Sequence, residues 1–113
     1  MKSYTDLEQS KKLAEILPLK SADMRFCFSH TLGGRIKGHY PMIGREPSMG
    51  TVPCWSLAAL LGILKYPSLT QDIENKWFIT DWTGAYPKSE HGFDNSVDAC
   101  YEMILKLHEL KLL

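Results

Sequence analysis

The chain carries no excess of either charge. Its 13 Lys and Arg residues balance 13 Asp and Glu residues, so the formal net charge at pH 7 is zero. A neutral chain has no global field to draw it onto nucleic acid or an anionic membrane surface. Cysteine is sparse. Cys27, Cys54 and Cys100 are an odd number at wide spacing, which is no disulfide framework, and no Cys-x-x-Cys occurs. Beside apolar neighbours, they fit buried thiols of a reducing compartment. His30, His39, His91 and His108 show no paired metal-ligand spacing, so neither a metal nor a cofactor is expected. The longest apolar run, Cys54 to Leu64, is interrupted by Ser56 and Gly62 and falls short of the ~20 residues a bilayer demands. The opening Met1-Lys2-Ser3-Tyr4-Thr5-Asp6 turns polar at once and lacks the apolar core of a signal peptide. A cytoplasmic location is the expectation. Repeats, low-complexity tracts and Gly/Ser-rich or Pro-rich linkers are also missing, so residues 1–113 read as a single domain.

What is present fits a globular fold. The 113 residues are 44% hydrophobic and 23% charged, enough for one core without staples. A first helix is expected from Asp6 to Leu17, with Thr5 and Glu8 at capping-box spacing and Pro18 as its stop. Met24, Phe26 and Phe28 alternate with Arg25, Cys27 and Ser29, the pattern of a half-buried strand. Gly33-Gly34 and Gly38 then announce a hairpin or an irregular loop, and Pro41 restricts His39–Ile43 to an edge strand.

A second helix is expected from Pro53 or Cys54 to Leu64. It is apolar nearly all round, as suits the middle of a core. Trp77–Trp82 is the clearest strand, with Thr83-Gly84 as a turn and Ala85-Tyr86 as the start of a return. A third helix should run from Ser96 to about Leu110. Asn95 is its cap, Asp98 lies in its first turn, and Val97, Cys100, Tyr101, Ile104 and Leu107 form its buried stripe. The order implies an α+β fold, a small antiparallel sheet with about three helices packed against it and the apolar helix 54–64 at the centre.

Three segments carry a resemblance: Ser10–Pro18, Pro53–Leu61 and Val97–Leu110. Their wording resembles a family of small uncharacterised proteins of gut Bacteroides-type bacteria and their mobile elements. That family has no assigned activity, cofactor or catalytic residues. The resemblance implies a bacterial or phage-associated intracellular protein and transfers no mechanism.

Cys54 is the sharpest candidate for chemistry. At the first turn of a helix, the dipole would favour its thiolate. Cys54-Trp55-Ser56 also looks like the nucleophile segment of papain-like cysteine proteases. His91 would then be the base, with Asp94 or Asn95 orienting it, and His30 and His39 as rivals. Departures from that pattern are Ser48 where those enzymes place an oxyanion-hole Gln, and Val52-Pro53 where they have Gly-Ser. The plain alternative is a small buried residue at the head of a core helix.

Arg25, Arg35, Lys37 and Arg45 form a basic cluster with glycines between, able to hold an anion or nucleic acid. No phosphate-loop or RNA-module motif accompanies it, and a solvated loop explains it equally. Trp77, Trp82 and Tyr86 crowd one hairpin. If one of its faces is bare, it is a partner or dimer surface; otherwise these side chains are core. The acids Asp72, Glu74 and Asp81 have no spacing that would pair two carboxylates. The leading expectation is an intracellular protein-interaction or accessory module without catalysis. A compact cysteine hydrolase or transferase using Cys54 and His91 is the alternative, and anion binding through Arg25–Arg45 is a third.

Overall fold

A computed structural model describes residues 2–30, 36–43, 52–64, 67–81 and 92–113, with the backbone alone for 27–30, 36–43 and 81. The chain is α+β, as its element order implies. Helix α1 is Leu7–Ala14. Strand β1 (Met24–His30) pairs antiparallel with β2 (Ile36–Ile43) on one side and β3 (Val52–Cys54) on the other. Helix α2 is Leu57–Ile63. Strands β4 (Pro67–Gln71) and β5 (Trp77–Asp81) make a separate antiparallel pair, and α3 is Ser96–Glu109.

The first helix starts one residue later than its expected cap. Asp6, not Thr5, is the N-cap. Its carboxylate accepts from the Gln9 amide N–H at 2.8 Å, and Gln9 Oε1 accepts from the Asp6 N–H at 3.1 Å, closing a capping box. Thr5 is unavailable because its hydroxyl is fully buried, accepting from the Trp55 N–H. Regular helix ends at Ala14 rather than Leu17. The N–H groups of Ile16 and Leu17 both turn back to the Leu13 carbonyl, and Pro18 forbids a further turn.

Pro41 lies opposite Phe26 on β2, an edge strand of the three-stranded sheet, as its missing N–H requires. The larger correction concerns helix two. Val52–Cys54 is strand, with Cys54 opposite Met24, and the helix begins only after Ser56. Ser56 accepts from the Ala59 N–H at 3.2 Å as the true N-cap. Nor is α2 swallowed whole. Leu60 is buried, with Trp55 and Leu64 on either side of the helix, while Ala58 and Gly62 are exposed.

Beyond the end of α2, Pro67 opens a strand, β4, that the sequence reading did not include. The β4–β5 turn is Asp72-Ile73-Glu74-Asn75. Asn75 N–H donates to the Asp72 carbonyl at 3.0 Å, and Asn75 takes a left-handed φ of 63°. The Asp72 carboxylate accepts from the N–H groups of Glu74 and Lys76, each at 2.9 Å. The expected turn at Thr83-Gly84 and the return through Tyr86 lie outside the described residues.

Helix α3 follows its sequence reading except at Tyr101, expected in the buried stripe but only half-buried. Asn95 caps it at Asp98 N–H, 2.8 Å away, and Val97, Cys100, Ile104 and Leu107 are buried. It ends in a Schellman motif. Leu112 N–H donates to the Leu107 carbonyl and Lys111 N–H to that of His108, with Lys111 at φ 58°. The core gathers Leu13 of α1, Trp55, Leu60 of α2, Ile79 of β5 and the inner face of α3.

Asp98 does more than sit in the first turn of α3. It accepts from Lys2 Nζ, Gln9 Nε2 and Asn95 Nδ2, each at 2.8 Å, so it ties the N-terminal segment and α1 to α3. Partial burial pushes its carboxyl up, but the hydrogen bonds from Lys2, Gln9 and Asn95 outweigh that and hold it below the usual aspartate value. A depressed folded pKa stabilises the fold above the unfolded pKa. That contribution disappears as pH falls through the folded value. Asp98→Asn should therefore melt below the parent at about pH 7, and the gap should narrow as pH falls below about 4, as read by thermal denaturation.

Before α3, Phe93 exchanges backbone hydrogen bonds with Trp77 at 2.8 and 2.9 Å. That approach requires Gly92, where an added Cβ would stand 2.4 Å from Lys76 Cβ. Gly92→Ala should destabilise the fold by about 1–3 kcal/mol in urea titration.

Candidate functional site

The sequence candidate of greatest interest, Cys54, sits at the end of β3 with no exposed surface. Three local facts put it there. β3 pairs with β1. The Thr5 N–H donates to the Trp55 carbonyl at 2.9 Å. The Leu57 N–H donates to the Ser3 carbonyl at 3.0 Å. Residues 3–5 thus lie antiparallel along Trp55–Leu57, with Tyr4 bridging Ser56, and cover the thiol.

Cys54 Sγ donates to the Thr5 carbonyl at 3.5 Å and lies 3.7 Å from Thr5 Oγ1. Thr5 Oγ1 is 2.7 Å from Ser10 Oγ. Burial pushes the thiol pKa up, and hydrogen bonds from Thr5 and Ser10 recover only part of that shift. The helix-dipole argument fails because Cys54 precedes the N-cap Ser56 and is not in the helix. A thiol with raised pKa and no solvent access is a poor nucleophile.

Cys100, also fully buried, is pushed up to about 12 by burial. Asn95, offered as the orienting residue, is committed elsewhere. Its Oδ1 caps the Asp98 N–H and its Nδ2 donates to the Asp98 carboxylate. Asp94 is exposed and pairs with Lys76. His91 lies outside the described residues.

The basic cluster is only partly described. Arg25 is half-buried on β1, opposite Met42 and Pro53. Lys37 lies on β2, and Arg35 and Arg45 lie outside the described residues. Trp77 begins β5, is half-buried and packs against the core, while Trp82 and Tyr86 lie outside the described residues. No group of three or more His, Cys, Asp or Glu side chains fit for a metal occurs among the described residues. None of the described helices is long and apolar enough to cross a membrane.

Two surface features escaped the sequence reading. One is an open groove of about 380 Å³ between the turn Lys20-Ser21 with Asp23 on one wall and Ala58, Ala59, Gly62 and Ile63 of α2 on the other. Its floor is small because α2 turns Ala and Gly outward. A Cβ added at Gly62 would meet nothing within 4 Å. Asp23 is held at the rim by Ser56, whose N–H donates to it at 2.9 Å and whose hydroxyl also bonds its carboxylate.

The other is the outer edge of β4. The Asp72 N–H donates to the Lys76 carbonyl, so bonded pairs recur at Thr70–Phe78 and Ser68–Thr80. Leu69 and Gln71 therefore point their backbone groups away from β5. Trp77, opposite Gln71, confirms the phase, since its own N–H and carbonyl face outward to Phe93. No described residue takes up the outward groups of Leu69 and Gln71. Thr70 and Gln71 are exposed.

If Cys54 is structural, iodoacetamide should leave it untouched in the folded protein. Its alkylation rate should rise only in parallel with global unfolding as urea is added. Rapid alkylation near neutral pH without denaturant is the contrary result.

The chain matches no family model, no curated protein and no solved structure.

Proposed function

We propose that this chain is a non-catalytic protein-interaction module of the cytoplasm, an accessory protein of a bacterial or mobile-element system, and that it works by accepting an extended segment along β4. The observation that carries this reading is the backbone edge at Leu69–Gln71, whose outward groups no described residue takes up. An exposed strand edge offers a row of donors and acceptors, and a second strand satisfies them by β-augmentation. Proteins commonly blunt such edges with Lys, a bulge or a covering segment. Among the described residues, β5 has Phe93 across its outer side at Trp77, whereas β4 has only Pro67, at its first residue. Proline there lacks an N–H that would in any case point outward.

The sealed, pKa-raised Cys54 thiol favours this reading over the cysteine-hydrolase alternative. The neutral charge balance favours it over nucleic-acid binding.

A photoreactive phenylalanine analogue at position 70 tests the reading directly. In purified protein or in bacterial cells producing the chain, irradiation should give an adduct with another polypeptide. The same analogue at exposed Glu102 of α3 should give none. Absence of any adduct at position 70 in both samples removes the reading.

A further inference from the structure

We propose that the segment accepted by β4 is the β4 strand of a second copy of this chain, so that two hairpins join into one continuous four-stranded antiparallel sheet across a two-fold axis at Leu69. This inference rests on the edge-pairing reading above and names its partner.

The phase of the β4–β5 ladder dictates the geometry. Only Pro67, Leu69 and Gln71 turn their backbone groups outward. Laid antiparallel to itself about Leu69, the strand puts each Leu69 N–H on the Leu69 carbonyl of the other copy. Each Gln71 N–H then meets the other copy's Pro67 carbonyl. Every outward N–H on the edge is satisfied, and the one position lacking an N–H, Pro67, serves only as acceptor. A two-fold interface must be self-complementary in this sense.

Charge does not oppose the pairing. Pro67-Ser68-Leu69-Thr70-Gln71 contains no ionisable side chain, so no like charges face each other across the new ladder. The whole chain has zero formal net charge, so two copies carry no mutual long-range repulsion. Ser68 and Thr70 become the directly opposed non-bonded pair, two small hydroxyl side chains compatible with close approach. A five-residue strand gives a small interface, and weak, concentration-dependent association follows.

Sedimentation velocity of the full chain from about 10 μM to about 1 mM should show a monomer–dimer equilibrium. Gln71→Pro deletes one outward N–H per copy without touching a β4–β5 bond, and should raise the dissociation constant about tenfold or more. Its near-native melting curve would show that the fold survives. Should that variant unfold, a mixed-isotope sample of the unmodified chain decides the matter: an intermolecular Hα–Hα contact between Ser68 and Thr70 should appear, with slowed exchange of the Leu69 and Gln71 amides on dimerisation. A strict monomer throughout the range overturns the inference, as does a dimer that leaves those amides unprotected. If position 70 cross-links only to a foreign polypeptide while the chain sediments as a monomer, the second-copy assignment fails and the edge-pairing reading survives.

Discussion

The burial of Trp55 with its polar groups satisfied is the constraint on which the rest of the fold depends. An indole at the junction of a strand and a helix removes a large apolar area from water, but only if its three polar groups find partners. Thr5 meets two of them, accepting from the Trp55 N–H at 3.1 Å through its hydroxyl and donating its own N–H to the Trp55 carbonyl. Ser21 takes the indole N–H at 3.0 Å and passes its hydroxyl proton to the Pro18 carbonyl at 2.6 Å. The N-terminal segment, the turn after α1 and the head of α2 are thereby fixed relative to one another. The identity of the α1 cap follows as well, since Thr5 is consumed and Asp6 takes the role.

The same junction decides the character of Cys54. Its neighbour is locked inward, the Ser3–Thr5 segment lies over it, and Asp23 binds Ser56 on the far side. A thiol in that position fills space and donates weakly to a carbonyl. Chemistry at a strand–helix junction needs an open approach and a base. Here the approach is occupied by the chain's own backbone.

Some of this was legible in the sequence because it is local. Asn95 ahead of an apolar stripe marked α3 correctly, and the alternation at Met24–Phe28 marked β1. Other parts failed for identifiable reasons. Cys54-Trp55-Ser56-Leu57 is mostly apolar and short, and periodicity cannot divide such a stretch between strand and helix. What divides it is Asp23 gripping Ser56 from 33 residues away. Thr5 and Glu8 had the spacing of a capping box, but a contact 50 residues distant occupies the Thr5 hydroxyl and leaves the role to Asp6 and Gln9. β4 was invisible because Pro-Ser-Leu-Thr-Gln has neither clean alternation nor a branched or aromatic run; its pairing with β5 and the Asp72 turn define it. The edge it leaves open could not be read without the ladder's phase. The sealing of Cys54 likewise depends on a segment 49 residues earlier.

The tie between Lys2 and Asp98 spans 96 residues of chain, and that between Gln9 and Asp98 spans 89. During synthesis, the N-terminal segment leaves the ribosome long before its anchor on α3 exists. Until residue 98 emerges, α1 can form its own capping box but has nothing to dock against on α3. The apolar flank of α2 meanwhile waits without the helix that will cover it. Docking of α1 and covering of α2 therefore wait for α3, and the nascent chain passes through a stage in which the flank of α2 is bare.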